Sequence, residues 1–175
     1  MKKHCVKLEE QGYIKAWRVP REAVGRPQKL YTLTEKCDDL FPDTGIEVLI
    51  NVLDGVKEFF GESSPEKLFY IHYQKQREEW APTISKGKSL VEKATRLADL
   101  RAKSGCFSRC KYDNKHGFRI EEYHHPMKQL FKIYPTLISL EIKMIEQLLG
   151  SNVSRKELSL SKGGNLVIYQ ISTLA

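Results

Sequence analysis

The amino-acid sequence predicts an α+β fold, and three features of its patterning indicate this class. Apolar residues recur at helical spacing through the middle of the chain, which predicts several helices between residues 43 and 104. After residue 105, two pairs of short alternating segments flank turns and predict β-hairpins with helices between them. A further helix and hairpin are predicted at the front, so antiparallel hairpins and helices make up the whole chain.

The front of the chain, residues 1–42, is predicted to form one helix and one long hairpin. Val6 and Leu8 precede Gly12, which is typical of a helix that ends at a glycine. Residues 13–19 then alternate as a strand, and residues 28–33 resume the alternation. The segment from Pro20 to Pro27 is polar and holds two prolines, so it is predicted to be the tip of the hairpin.

Residues 43–104 are predicted to be a helical region that dimerises. Its first helix, from about residue 43 to 61, carries a wide apolar arc composed of Ile46, Val48, Leu49, Ile50, Val52, Leu53, Val56, Phe59 and Phe60. So wide an arc needs two surfaces to cover it, and we expect a second copy of the chain to supply one. Two more helices are predicted, from Pro65 to Trp80 before a break at Pro82, and from Leu90 to a stop at Gly105.

Residues 105–175 are predicted to form a C-terminal α+β domain with two β-hairpins. The first hairpin turns at residues 114–117, and the second turns around Gly163 and Gly164. Between them, Pro126 opens a helical stretch that is interrupted near Pro135 and ends at Gly150.

Positive charge is concentrated at the front of the chain. The net charge of the 175 residues is +7, and residues 1–36 hold nine Lys or Arg against four Glu, which gives +5 there. A concentrated basic region is typical of a protein that binds a polyanion, with nucleic acid the first choice and a membrane surface the second. A solvated basic face is the alternative. The candidate DNA-binding residues are Lys2, Lys3, His4, Lys7, Arg18, Arg21, Arg26 and Lys29.

Several protein classes are excluded by what the sequence lacks. No apolar run approaches the roughly 20 residues of a membrane span, and the first residues lack the apolar centre of a secretory signal. We therefore expect a cytoplasmic protein with reduced cysteines and no membrane partner. Gly87-Lys88-Ser89 resembles the end of a phosphate-binding loop, but Pro82 stands where its first glycine belongs. With no other catalytic signature, we predict that the protein is not an enzyme.

One group of thiols and imidazoles has the composition of a metal site, namely Cys106, Cys110, His116, His124 and His125. If the segment is an unbroken strand, the Cα atoms of Cys106 and Cys110 lie roughly 13 Å apart, too far to chelate one zinc ion. Half-buried thiols and polar histidines on a hairpin are therefore the preferred interpretation. We predict no bound cofactor, and zinc or another metal on these residues is the alternative.

The front of the chain resembles the second half of the winged helix-turn-helix of bacterial transcriptional regulators. The resemblance covers about 35 residues and consists of three motifs in order: Leu8-Glu9-Glu10-Gln11-Gly12-Tyr13-Ile14, Gly25-Arg26-Pro27 and Leu30-Tyr31-Thr32-Leu33-Thr34. It implies that the first helix is the recognition helix and that the hairpin is the wing. A complete domain of this family has roughly two more helices before the recognition helix, and residues 1–42 correspond to its recognition helix and wing alone.

A narrower resemblance, to the iron–sulfur-cluster repressors of cluster-assembly genes, extends over the rest of the chain. The matching motifs are Leu40-Phe41-Pro42, His124-His125-Pro126, Tyr134-Pro135, Leu148-Leu149-Gly150, Val153-x-Arg155 and Tyr169-x-Ile171. The family implies dimeric DNA-binding regulators that hold a cluster through cysteines. In this chain the cysteine positions carry His125, a residue at or near Ile138, and Leu166 or Val167. Because thiolates hold such clusters, these replacements argue against a family-type iron–sulfur cluster here.

These observations predict a homodimeric transcriptional regulator that binds double-stranded DNA. Two recognition helices held by the dimer would enter successive major grooves. The C-terminal domain is expected to sense a ligand or to dimerise, with a small molecule or a metal as the effector left open. The alternative is a ligand-binding or protein-interaction module that derives from such a regulator but binds no DNA. A metal ion is one of the ligands that this alternative includes.

Overall fold

A computed structural model describes residues 2–18, 29–34, 36–37, 44–113, 117–159 and 165–172. Among them, the residues up to Thr44 belong to one compact unit and those from Gly45 onward to a second. Helices combine with one two-stranded and one four-stranded antiparallel sheet, which confirms the predicted α+β class. The predicted tip of the first hairpin, residues 20–27, lies outside the described residues.

The first unit contains a short helix and a two-stranded hairpin. Helix α1 (Lys2–Glu10) is followed by strands β1 (Ile14–Arg18) and β2 (Lys29–Leu33), which pair antiparallel with Ile14 opposite Leu33. Gly12, at φ +77°, lets the chain turn sharply after the helix, because glycine adopts the left-handed conformation without steric cost. The predicted order of helix, strand and strand is confirmed.

The second unit contains five helices and four strands among its described residues. In chain order they are α2 (Thr44–Phe60), α3 (Ser64–Ile84), α4 (Leu90–Arg101), β3 (Ser108–Asp113), β4 (Gly117–Glu122), α5 (Lys128–Ile133), α6 (Thr136–Leu149), β5 (Val153–Ser159) and β6 (Asn165–Ile171). One π-helical turn, Ala102–Cys106, extends α4 and contains Gly105 at φ +88°. None of the helices in the described ranges combines the length and apolar character needed to cross a membrane.

The main core lies between the four-stranded sheet and the helices packed on it. The strand order is β3-β4-β6-β5, so the second hairpin pairs with the first through β4 and β6. This core is formed by Tyr73, Trp80, Ile84, Ala94, Leu97, Ala98, Ile120, Met144, Ile145, Leu148, Leu149, Val153, Val167, Tyr169 and Ile171. Residues from the predicted segments 43–104 and 105–175 therefore contribute to one core.

A second, smaller core anchors helix α2. It is formed by Leu53, Phe69, Leu130, Phe131, Tyr134 and Leu137, with Ile46 and Ile50 of α2 packed against it. Met127 and Leu140 pack against both cores and connect them. The opposite side of α2 exposes apolar side chains, including Val48, Val52 and Phe59. The wide apolar arc predicted for α2 is thus buried on one side and uncovered on the other.

The predicted end of α3 before Pro82 is wrong, because the helix continues through Pro82 to Ile84. A proline lacks an N–H group and clashes with the preceding turn, which ordinarily breaks a helix. Here Pro82 lies in the last turn, where the missing N–H removes one hydrogen bond only. The amide of Ser85 still donates to the carbonyl of Ala81 at 2.9 Å and closes the helix.

Leu97 tests the contribution of the main core to stability. Its side chain is fully buried, so Leu97→Ala should lower the free energy of unfolding by about 2–5 kcal/mol through lost transfer energy and a cavity. Leu68, which is 47% exposed on α3, provides the control, and Leu68→Ala should change stability by less than about 0.5 kcal/mol. Urea denaturation of both variants gives the two values, and equal losses would contradict the assignment of Leu97 to the core.

Candidate functional sites on the basic helix and in the buried core

Exposed basic residues lie along helix α1. Lys3, His4 and Lys7 are all exposed, and the spacing of four residues places Lys3 and Lys7 on the same face. Lys29 is exposed at the start of β2. The remaining predicted DNA-binding groups, which are the side chains of Lys2 and Arg18 and the residues Arg21 and Arg26, lie outside the described part of the chain.

The end of α1 is fastened to the residues that follow the hairpin. The Thr34 hydroxyl donates to the carbonyl of Gly12 at 2.6 Å, and the Lys36 ammonium donates to the carbonyl of Gln11 at 2.9 Å. The buried Cys37 thiol donates to the carbonyl of Tyr13 at 3.0 Å. These bonds satisfy the carbonyl groups of the turn after α1, so helix and hairpin are held in one fixed arrangement within this unit.

The main core of the second unit contains a group of buried polar side chains centred on Arg101. This group, called the Arg101 cluster below, consists of Arg101, Ser108, Glu122, His125, Glu141 and Tyr169. Arg101 ends α4 and is 2% exposed, although arginine is seldom fully buried unless it is paired. The cluster therefore has to supply hydrogen-bond acceptors and negative charge to a buried guanidinium group.

The guanidinium of Arg101 is satisfied by two carboxylates. It forms a two-pronged ion pair with Glu122, in which Nε donates to Oε1 and Nη2 donates to Oε2 at 2.9 Å. The same Nη2 also donates to Glu141 Oε1 at 3.0 Å and to the Tyr169 hydroxyl at 3.3 Å. Ser108 donates its hydroxyl to Glu122 Oε1 at 2.6 Å. Such bidentate, charge-assisted bonds are the strongest hydrogen bonds that side chains make.

His125 joins the cluster through Glu141. Its Nδ1 accepts the backbone N–H of Met127 at 3.1 Å, which places the hydrogen of a neutral ring on Nε2. Nε2 lies 2.8 Å from Glu141 Oε1 and donates to it, while the Tyr169 hydroxyl donates to Glu141 Oε2 at 2.6 Å. The ring of His125 also packs against Phe131, with centroids 4.6 Å apart. Glu141 thus receives hydrogen bonds from three different side chains.

The charges of Arg101 and Glu141 stabilise each other. Burial by itself raises the pKa of Glu141, but Arg101 and the bonds from His125 and Tyr169 bring that pKa below its ordinary value. Burial likewise opposes the charge of Arg101, yet Glu141, Tyr169 and Glu122 raise the pKa of Arg101 well above its ordinary value. Both groups are therefore ionised at neutral pH.

Cys106 lies close to Glu122 and His125 of the cluster. Together they are the one group of potential metal ligands found among the described residues. Donor atoms of Cys106, Glu122 and His125 all lie within 4.8 Å of one another, and all three residues are buried. Thiol, carboxylate and imidazole are ligands that zinc accepts. However, Arg101 already pairs with Glu122, and His125 uses both nitrogens in hydrogen bonds. An ion at this position would have to displace some of those bonds.

The Cys106 thiol is a neutral group in this arrangement. Burial raises the pKa of Cys106 to about 12, and nearby Arg101 offsets only part of that effect. Close by, the hydroxyl of Tyr73 is buried and has no hydrogen-bond partner among the described residues. Burial and the negative charge of Glu141 raise the pKa of Tyr73 as well, so this hydroxyl is also neutral.

The other predicted metal ligands do not join this triad. Cys110 lies on β3 and is half-buried, and burial raises the pKa of its thiol while a hydrogen bond with Thr95 opposes the rise. His124 is exposed and packs against Phe107, with centroids 5.6 Å apart. His116 lies outside the described residues.

Sequence reasoning missed Arg101, Glu122 and Glu141 as members of a site. One signal was present in α6, where Glu141 lies on the same face as the buried residues Leu137, Met144, Ile145 and Leu148. A carboxylate on an apolar helix face needs a buried partner. The sequence alone does not show which cation supplies it, because Arg101 is 40 positions away.

No protein-family model, curated protein or solved structure matches this chain.

Loss of the Arg101 cation should destabilise the fold strongly. Arg101→Met leaves Glu122 and Glu141 buried without their cation, and breaking such a pair costs about 3–5 kcal/mol. Arg77→Met removes an arginine that makes one exposed hydrogen bond to Gln147, and it should cost less than about 1 kcal/mol. Urea denaturation at neutral pH compares the two variants. Similar losses in both would contradict a stabilising role for the cluster.

The Arg101 cluster should also make stability depend on acid pH. Because the folded state lowers the pKa of Glu141, the stabilisation is present above the ordinary value of 4.5 and is lost as the pH falls below it. Glu141→Gln cannot be protonated in this range, so its free energy of unfolding should fall less steeply between pH 5 and pH 3 than that of the wild type, a window of about two units. Glu58→Gln, an exposed change on α2, should follow the wild-type curve. Coincident slopes for wild type and Glu141→Gln would contradict the expectation.

Proposed function

We propose that the protein is a cytoplasmic, homodimeric transcriptional regulator that binds double-stranded DNA. The observation that carries the proposal is the first unit, in which a helix with exposed Lys3, His4 and Lys7 is fastened to a two-stranded hairpin. A recognition helix followed by a wing has the same order of elements. The resemblance to cluster-assembly repressors favours repression over activation.

The chemistry of α1 suits contact with DNA. An α-helix fits the major groove, where its side chains reach base edges and its cations reach phosphates. Lys3 and Lys7 lie on one face, so both can contact the same backbone. Lys29, at the beginning of β2, is placed to make a further phosphate contact from the wing. Affinity carried by such contacts falls steeply with salt, because each contact releases counterions.

The second unit is proposed to dimerise and to respond to an effector. The uncovered apolar side of α2 supports the dimer, since Val48, Val52 and Phe59 are between 56% and 81% exposed. Apolar side chains that cluster on one exposed helix face are typical of an interaction surface. The dimer would bring two recognition helices to successive major grooves, as operators with two-fold symmetry require.

The alternative proposal is a ligand-binding or metal-binding module that binds no DNA. It is supported by the grouping of Cys106, Glu122 and His125 and by the unpartnered hydroxyl of Tyr73 near Cys106. Zinc titration under reducing conditions separates the two proposals. Stoichiometric uptake that Cys106→Ser abolishes and Cys110→Ser leaves intact, in a chain that does not bind DNA, would favour the alternative.

DNA binding is tested by the double variant Lys3→Ala/Lys7→Ala. Fluorescence anisotropy with a mixed-sequence duplex should show weaker binding, and the slope of log affinity against log salt should fall by about two, or one per lost phosphate contact. Lys75→Ala/Lys132→Ala removes the same charge from exposed positions of the second unit and should leave the slope unchanged. If the two double variants bind alike, α1 does not contact DNA.

A further inference from the structure

Among the residues that the structure describes, nothing packs closely against two glycines of α2. A glycine in a helix interior costs about 1 kcal/mol relative to alanine, so its presence calls for a close approach by another group. Yet a Cβ atom added at Gly55 would meet nothing within 4 Å, and the same holds at Gly45 in the first turn. No described residue therefore lies close enough to either position to require a glycine there.

The two glycines lie on the uncovered side of α2 together with large apolar residues. At 100° per residue, Gly45, Leu49, Val52, Gly55 and Phe59 fall within an arc of about 120°. The buried Leu53 and the partly buried Ile46 and Ile50, which pack in or against the second core, lie mainly on the other side of the helix. The exposed fractions of Val52 and Phe59 are 56% and 81%. This side therefore alternates between projecting side chains and gaps.

Projections and gaps are arranged symmetrically about Val52. Phe59 follows Val52 by seven residues, and Gly45 precedes it by seven. Gly55 follows by three residues, and Leu49 precedes by three. Two antiparallel helices related by a two-fold axis at Val52 bring residues at equal and opposite offsets to the same level. Each large side chain would then face a glycine of the other copy.

We infer that α2 forms the dimer contact as a two-fold, antiparallel helix pair centred on Val52. Phe59 of each copy packs over Gly45 of the other, and Leu49 packs over Gly55. Val48 and Val56, at offsets of four, face each other by the same rule. The inference rests on the proposed homodimer and specifies its interface and register.

The acidic residues of α2 are compatible with this contact. Glu47, Asp54 and Glu58 lie about 120–160° around the helix from Val52, the centre of the proposed contact, so the pairing does not bury them. The pairing also accounts for glycine at both positions, because the missing side chains let the two backbones approach and accept the partner's side chains. A surface that complements itself in this way fits a second copy of the chain.

An exchange of large and small residues tests the register. Gly55→Leu sets two leucines against each other, and Leu49→Gly leaves an empty space, so each should weaken dimerisation by at least about tenfold in sedimentation equilibrium. The double variant Leu49→Gly/Gly55→Leu exchanges the two residues and should return the dissociation constant to within about threefold of the wild type. Glu58→Ala, on the acidic flank, should leave it unchanged.

A cysteine at the two-fold axis gives a second measurement that does not depend on packing. Under mild oxidation, two copies of the Val52→Cys variant should be joined by a disulfide between the cysteines introduced at position 52. A residue on a two-fold axis lies opposite the same residue of the other copy. Glu58→Cys should not. Peptide mass spectrometry distinguishes these links from those of the four native cysteines.

The outcomes separate this inference from the proposed function. A wild-type dimer that is insensitive to the single variants, or that the exchange fails to restore, would overturn the α2 pairing and leave a dimeric regulator standing. A monomeric wild type would overturn the pairing and the proposed dimer together. Absence of DNA binding in a chain whose exchange variant restores the dimer would overturn the regulator and leave the pairing intact.

Discussion

One guanidinium fixes the arrangement of the second unit. Arg101 at the end of α4 binds Glu122 at the end of β4, Glu141 on α6 and Tyr169 on β6. A buried cation is costly unless carboxylates and hydroxyls surround it, so these three elements must all be in place around α4. The apolar residues of the main core then fill the space that this ionic centre leaves. Hydrophobic burial supplies most of the stability, while the cluster narrows the ways in which the elements can pack.

Strand β4 shows how this constraint reaches the sheet. Its last two residues are both glutamates, and successive residues of a strand point to opposite faces. Glu122 points into the core and meets Arg101, whereas Glu121 points to the other face and meets Lys111 and Arg119 at 2.6 Å and 2.8 Å. A shift of β4 by one residue would exchange the two carboxylates and separate Glu122 from Arg101 and Glu121 from Lys111, whereas Arg119 lies on β4 itself and would move with it. The two ion pairs on opposite faces of β4, Glu122 with Arg101 and Glu121 with Lys111, thus favour a single register of the strand.

The sequence predicted local structure well because local structure depends on neighbours in the chain. Periodic apolar residues located α2, and glycines located the ends of α1 and α6. The Arg101 cluster was not predictable in this way, since its partners lie 21, 40 and 68 positions from Arg101 and meet only after folding. The exposure of Lys3, His4 and Lys7 agrees with their predicted role, but exposure is a property that most charged residues share. Their contact with DNA therefore stays a prediction.

The division of the second unit into two cores has a consequence for its motions. Helix α2 rests on the smaller core, while the sheet and the Arg101 cluster belong to the larger one, and Met127 and Leu140 pack against both. A small core with few shared residues can open locally at a lower free energy than the whole unit. We expect amide hydrogens of α2 to exchange faster than those of β4 and β6. His125 lies where the two cores meet, because its ring packs on Phe131 of the smaller core and its Nε2 binds Glu141 of the cluster. Any event that reorients this imidazole would therefore change how readily α2 detaches.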